Sequence, residues 1–217
     1  MAEYAYQPMF PKGAESTEYR CISAGHVTIA AFDGQQMLKI ASGALTALSE
    51  TAFTDVAHLY RTSHLEQLSK VLHDPESSDN DRYVALEMLK NAVISSQFLF
   101  PMCQDTGTAV IIGKKGQRVW TGGMDEDALS RGVFNAYTKN NLRYSQQAPL
   151  SMYEEKNTGC NLPAQIEVYA EPGDEYTFLF IAKGGGSANK TYLYQETKAV
   201  LNPGALTRFL TEKMKSL

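Results

Sequence analysis

The hydrophobic spacing of this chain changes near Thr108, and that change constrains the fold more than any single motif. Before it, Leu45, Leu48, Ala52, Val56 and Leu59 recur at spacings of three and four, which predicts an amphipathic helix over about 43–61. Ser63-x-x-Glu66 has the form of a capping box opening a second helix through Leu65, Leu68, Val71 and Leu72, ended by Asp74-Pro75. A third helix is expected from near Asp79, with Tyr83, Leu86, Leu89 and Val93 on one face. From Thr108 onward, Ala109–Ile112 and Gln117–Trp120 flank Gly113-Lys114-Lys115-Gly116 and read as a hairpin. Ala164, Ile166, Val168 and Ala170 alternate with polar or aromatic neighbours as a half-buried strand, and Pro172-Gly173-Asp174 turns the chain. Tyr176–Ala182 is apolar enough for a strand buried on both faces. Met124–Asn140 returns to helical spacing with Asp125, Glu126 and Asp127 in its first turn, and Asn202 and Pro203 cap a last helix through Leu206, Phe209 and Leu210. Ahead of all this lies a tail of about residues 1–18, then a short hairpin from Tyr19–Val27 and Gln36–Ile40 around Asp33-Gly34. The expected fold class is α+β: an amino-terminal helical region followed by a mixed, mainly antiparallel sheet with flanking helices.

With 217 residues, 43% of them hydrophobic, the chain can bury a real core in one domain or two small ones. Its net charge of −4 and scattered cations argue against nucleic-acid binding, and Lys114, Lys115 and Arg118 read as a solvated hairpin tip. No apolar run approaches a membrane span and the first residues do not resemble a signal peptide, so a cytoplasmic location is expected. The three cysteines, Cys21, Cys103 and Cys160, are widely spaced without a C-x-x-C pair, which argues against a disulfide framework and a self-contained zinc site. The four histidines, His26, His58, His64 and His73, form no H-E-x-x-H pair and read as surface or packed residues.

Chemistry concentrates in four segments. In Cys103-Gln104-Asp105-Thr106-Gly107-Thr108 a thiol stands against an amide, a carboxylate and a glycine turn, with hydroxyls from Thr106 and Thr108. Such a loop can ligate a soft metal and orient a small polar substrate; it is also what a buried thiol beside an ordinary turn looks like. Lys183–Thr191 carries Gly184-Gly185-Gly186 followed by Ser187, Asn189 and Lys190. Its amides and side chains suit a carboxylate or phosphate, and it departs from a phosphate-binding loop by Asn189 in place of the second glycine. A plain glycine turn between strands fits equally well. Asn141-Leu142-Arg143-Tyr144-Ser145 sets a guanidinium just past a helix end, where it can clamp a carboxylate or merely serve the helix terminus. Asn157-Thr158-Gly159-Cys160-Asn161 places a thiol in a polar turn with nothing adjacent to activate it.

Together CQDTGTAVIIGKKGQRVWTGG, NNLRYSQQAPLSMYEEKNTG, NLPAQIEVYA and IAKGGGSANKTYLYQETKAVLNPG closely resemble the amino-terminal part of class I fumarate hydratases, the iron–sulfur fumarases. The likeness runs in unbroken order through the EYR…HV…FDGQ start and DPESSDNDRYVALEMLKN. It implies a hydro-lyase that reversibly hydrates fumarate to L-malate, with a four-iron, four-sulfur cluster held by three cysteines. It further implies that Cys103 is the first cluster ligand, that Gln104, Asp105 and Arg143 line the dicarboxylate pocket, and that Gly186 lies in the backbone beside the substrate. Family members are more than twice this long, and their other cluster cysteines and catalytic residues come later. Cys21 and Cys160 do not sit in the family's ligand motifs. The resemblance thus implies that residues 1–217 form the amino-terminal domain, or most of it, of such a protein, with no catalytic residue of their own. Alone, that segment is expected to be inactive and to hold no cluster or an incomplete one, while the parent works with the remainder of its chain as a homodimer. Two other readings of the residues stand beside it: a non-catalytic dicarboxylate-binding module, and a phosphate-loop nucleotide-binding protein.

Overall fold

Asp33 and Gly34 take φ values of 46° and 71°, closing β1 (Val27–Phe32) onto β2 (Gln35–Ile40) with Phe32 opposite Gln35. Two successive positive-φ residues are what a right-twisted two-residue turn demands, so the Asp-Gly hairpin forms, with its first strand later than residues 19–27. A computed structural model describes residues 3–13, 18–143, 147–149, 151–186 and 191–216.

Three helices follow as the spacing requires: α1 (Ser42–His58), α2 (Thr62–Val71) and α3 (Asp79–Ser95). Helix α1 buries Leu45, Ser49, Phe53 and His58. The His58 ring is a packed residue, bonded through Nδ1 to the Thr54 carbonyl at 2.7 Å and stacked on Phe98. The capping box expected at Ser63 and Glu66 does not form, because α2 begins after an extended Arg61 and Ser63 already lies inside its first turn. The box appears instead at α3, where Ser78 Oγ accepts the Asp81 N–H at 3.1 Å and the Asp81 carboxylate accepts the Ser78 N–H at 2.9 Å. Tyr83, Leu86 and Val93 on α3 are exposed; of that helix Ala85 and Ser95 are buried.

The central sheet has the order β7-β3-β8, formed by β3 (Thr108–Gly116), β7 (Gln165–Glu171) parallel to it and β8 (Tyr176–Lys183) antiparallel. A small strand β4 (Val119–Trp120) runs parallel to β2, and β5 (Gln147–Pro149) pairs antiparallel with β6 (Glu155–Asn157). Helix α4 (Asp125–Lys139) lies between β4 and β5, and α5 (Pro203–Ser216) closes the described chain, with Asn202 Oδ1 accepting the Ala205 N–H at 3.0 Å.

The expected hairpin around Gly113–Gly116 is wrong. Those residues continue β3, paired with Val168–Glu171 on one side and with Tyr176–Phe178 on the other, and Val119 pairs with Leu38 of β2 instead. Two long neighbours hold the glycine-flanked lysines extended, so Lys114 and Lys115 are half-buried strand residues and no solvated tip. Strand β8 is covered on one face only: Tyr176, Phe178, Phe180 and Ala182 pack on the core, while Leu179 and Ile181 are exposed.

The core forms where α1 and α4 cross and meet the sheet. Leu45, Phe53, Ala109, Ile111, Ala128, Leu129, Val133, Ala136, Tyr137 and Leu142 are its buried members, and full burial of a large apolar side chain contributes roughly 1.5–3 kcal/mol. Gly132 permits the close helix approach, because a Cβ there would stand 2.5 Å from both Ser49 Cβ and the Thr46 carbonyl. The amino-terminal tail is not wholly detached: Phe10 sets its ring edge against Tyr169 at 5.9 Å, and Lys12 pairs with Glu171.

Candidate functional site

The Cys103 loop connects the end of the helical region to β3, and its shape is imposed by the turn at Gly107. Gly107 has φ +76°, and a Cβ there would meet the Lys183 backbone at 2.8 Å. The turn is therefore pressed against the end of β8, where the glycine loop begins. The Asp105 carboxylate completes the contact: its Oδ2 accepts the Gly185 N–H at 2.7 Å and the Gly186 N–H at 3.3 Å. A carboxylate on successive backbone amides is a charge-assisted arrangement and joins two segments distant in sequence.

Arg143 arrives through Thr106. The Thr106 hydroxyl accepts the Arg143 N–H at 3.0 Å and donates to the Arg143 carbonyl at 3.2 Å. Behind it, the buried Tyr137 hydroxyl on α4 lies 2.8 Å from the Thr106 carbonyl and 2.9 Å from the Gly107 carbonyl. Asn161, also buried, donates from Nδ2 to the Gly107 carbonyl at 2.6 Å and accepts the Ala109 N–H at Oδ1 at 3.0 Å. Burial, and then the nearby Asp105 charge, push the Tyr137 phenol well above its ordinary pKa, so it remains a proton donor.

Cys103, Gln104, Arg143 and Gly186 are exposed and Asp105 is half-exposed. Cys103 Sγ accepts the Asp105 N–H at 3.4 Å. The segments singled out in the sequence thus converge, because Asp105 binds the glycine loop and Thr106 binds the Arg143 backbone. The Thr106 hydroxyl is committed to the Arg143 backbone. Ser187, Asn189, Lys190, Tyr144 and Ser145 lie outside the described residues. Tyr137 and Asn161 join the site as scaffold residues that residue type alone does not mark. Asn161 carried a signal in its polar turn at 157–161, where it takes φ 60°, a conformation asparagine tolerates.

A groove of about 750 Å³ between α1, β8 and residues 18–22 contains none of the site residues. Among the described residues no group of three or more His, Cys, Asp or Glu is placed to hold a metal, and Cys21 and Cys160 are free thiols. Set against a cubane cluster, which needs several thiolates, the donor set of this chain does not fit as a complete site. Among the described residues no helix is long and apolar enough to cross a membrane.

Fold and site together define an α+β unit in which the Cys103 loop, the Arg143 backbone and the glycine loop are tied together. Residues 46–217 match the family model described as fumarate hydratase (Fumerase). The chain is 58% identical over 214 residues to the anaerobic class I fumarate hydratase of Escherichia coli (strain K12), covering 99% of this chain and 39% of that protein. It is 55% identical over 217 residues to the mitochondrial fumarate hydratase 1 of Leishmania major, covering 99% of this chain and 40% of that protein. A putative L(+)-tartrate dehydratase subunit alpha of Methanocaldococcus jannaschii is 26% identical over 141 residues, covering 63% of this chain and 50% of that protein. The chain belongs to the fumarate hydratase family, and it spans about two-fifths of the length of the fumarate hydratases it matches.

Proposed function

We propose that residues 1–217 are the amino-terminal domain, or most of it, of a cytoplasmic iron–sulfur hydro-lyase that reversibly hydrates fumarate to L-malate. The observation that carries this reading is that the loop holding Cys103 is tied through Asp105 to the Gly185–Gly186 amides and through Thr106 to the Arg143 backbone. In this reading Cys103 contributes one ligand to a four-iron, four-sulfur cluster whose remaining ligands come from the rest of a family-length, homodimeric protein. Arg143 pairs with a substrate carboxylate, to which a guanidinium offers two parallel N–H donors. Gln104 adds an amide beside it, and Asp105 holds the Gly186 amide at the pocket edge. No reaction step is assigned to this chain, since one thiolate does not hold a cubane and none of its residues is read as the catalytic acid or base.

Titration of the chain with fumarate and L-malate tests the pocket, and anaerobic treatment with iron and sulfide followed by absorbance and activity measurements tests the cluster. The expected result is weak dicarboxylate binding lost in Arg143→Ala, with no stable cluster and no turnover. Turnover from the isolated chain with a stable cluster would overturn the view that it is inactive alone. Binding indifferent to Arg143→Ala would remove Arg143 from the pocket.

A further inference from the structure

We infer that Thr106 is the positioning residue for Arg143, setting where the guanidinium meets a substrate carboxylate. This rests on the reading of Arg143 as a carboxylate ligand. One hydroxyl engages both backbone polar groups of Arg143, accepting its N–H at 3.0 Å and donating to its carbonyl at 3.2 Å, across 37 positions of sequence. Together the two bonds fix the origin of the arginine side chain relative to the Cys103 loop. The clamp is anchored, because Thr106 is 8% exposed and its own carbonyl lies 2.8 Å from the hydroxyl of Tyr137, which is 1% exposed. Asn161 fixes the next carbonyl, that of Gly107, at 2.6 Å. A relay of buried groups from α4 through Tyr137 and Thr106 thus ends on the backbone of an exposed arginine. Valine matches threonine in shape and lacks the hydroxyl; serine keeps the hydroxyl.

The test uses the full 217-residue chain in four forms: wild type, Thr106→Val, Thr106→Ser and Tyr137→Phe. Two quantities are read in each: hydrogen exchange of the Arg143 amide, and affinity for L-malate by titration. Thr106→Val is expected to speed Arg143 exchange and to weaken malate binding about tenfold, the scale of loss when a binding group is misplaced by a fraction of an ångström. Thr106→Ser should restore both, a rescue that a purely volume-filling role does not produce. Tyr137→Phe, which does not touch Arg143, should speed the same exchange to a smaller degree, and it carries the test if Thr106→Val does not fold. Unchanged Arg143 exchange in folded Thr106→Val, or in Tyr137→Phe where that variant carries the test, overturns the inference. So does a folded Thr106→Ser that behaves as the valine variant. A wild-type chain that binds no malate sinks the carboxylate reading of Arg143, and with it the substrate half of the inference, while Arg143 exchange still decides whether Thr106 sets the arginine backbone.

Discussion

Asp105 and Gly185 are joined by a 2.7 Å hydrogen bond from backbone amide to carboxylate, across 80 positions of sequence. That bond makes the Cys103 loop and the glycine loop one mechanical unit, so a change at either is felt at both. Asp105→Ala is expected to destabilise the chain modestly, by about 1 kcal/mol, because the bond lies at a partly solvated surface. Its local effect should be larger. Hydrogen exchange at Gly185 and Gly186 should accelerate while exchange in α1 and α4 stays as in wild type, and equal protection at Gly185 in the variant would show that the carboxylate does not hold the loop.

Gly107 faces the other side of the same junction. Its φ of +76° disfavours any Cβ, and a Cβ would also lie 2.8 Å from the Lys183 nitrogen and carbonyl carbon. Gly107→Ala therefore combines left-handed backbone strain with a clash against backbone that cannot rotate away, for an expected loss of roughly 2–4 kcal/mol. Urea unfolding followed by circular dichroism measures it, and a loss below about 1 kcal/mol would mean that the turn relaxes freely.

Much of this architecture is legible locally. The spacing of Leu45, Leu48, Ala52 and Val56 marks α1 as a helix because helical period shows in near neighbours, but the face it buries is that of Leu45, Ser49, Phe53 and His58, which only the packing of the fold selects. Asp33-Gly34 marks its hairpin for the same reason. The Gly113–Gly116 stretch misleads because whether glycine-flanked lysines turn or continue depends on β7 and β8, which come 50 and more residues later. The site shows the same division. Cys103, Asp105, Arg143 and the glycine loop stand out by residue type, but the groups that bring them together do not. Tyr137 looks like any apolar position of α4, and only the fold directs its hydroxyl at the Thr106 carbonyl. Asn161 is a turn asparagine until β3 supplies the Ala109 N–H for its side chain.

At the far end of β3, Asp125 controls an acid-sensitive contact. Burial pushes its carboxyl up, but hydrogen bonds from Lys115, Thr121 and Tyr176 and the Lys115 charge together outweigh burial and hold it below its ordinary value. A carboxyl depressed in the folded state contributes stability above its unfolded pKa, about 4, and loses it as pH falls through the folded value. Asp125→Asn should accordingly be less stable than wild type near neutrality, by about 1 kcal/mol for a contact that keeps some solvent. The gap should close as pH drops below about 4, where the wild-type carboxyl is itself neutralised. Thermal unfolding of both forms across that range checks the sign, and a gap that widens in acid would assign the stabilisation to another group.

Asn161 offers the sharpest separation of backbone from side-chain effects. It is fully buried at φ 60° and exchanges two hydrogen bonds with the site scaffold, one to the Gly107 carbonyl and one from the Ala109 N–H. Asn161→Ala loses both bonds and sets a methyl-bearing residue in the left-handed region, whereas Asn161→Gly loses the bonds but keeps the conformation at little cost. The alanine variant is expected to lose about 3 kcal/mol or more, since the Ala109 N–H is left buried without its partner. The glycine variant should lose about 1 kcal/mol less, that difference being the backbone strain alone. Denaturant unfolding of the pair reads both quantities. Equal losses would mean that hydrogen bonding accounts for the residue entirely, and a near-neutral glycine variant would mean that Tyr137 alone suffices to hold the Gly107 carbonyl in place.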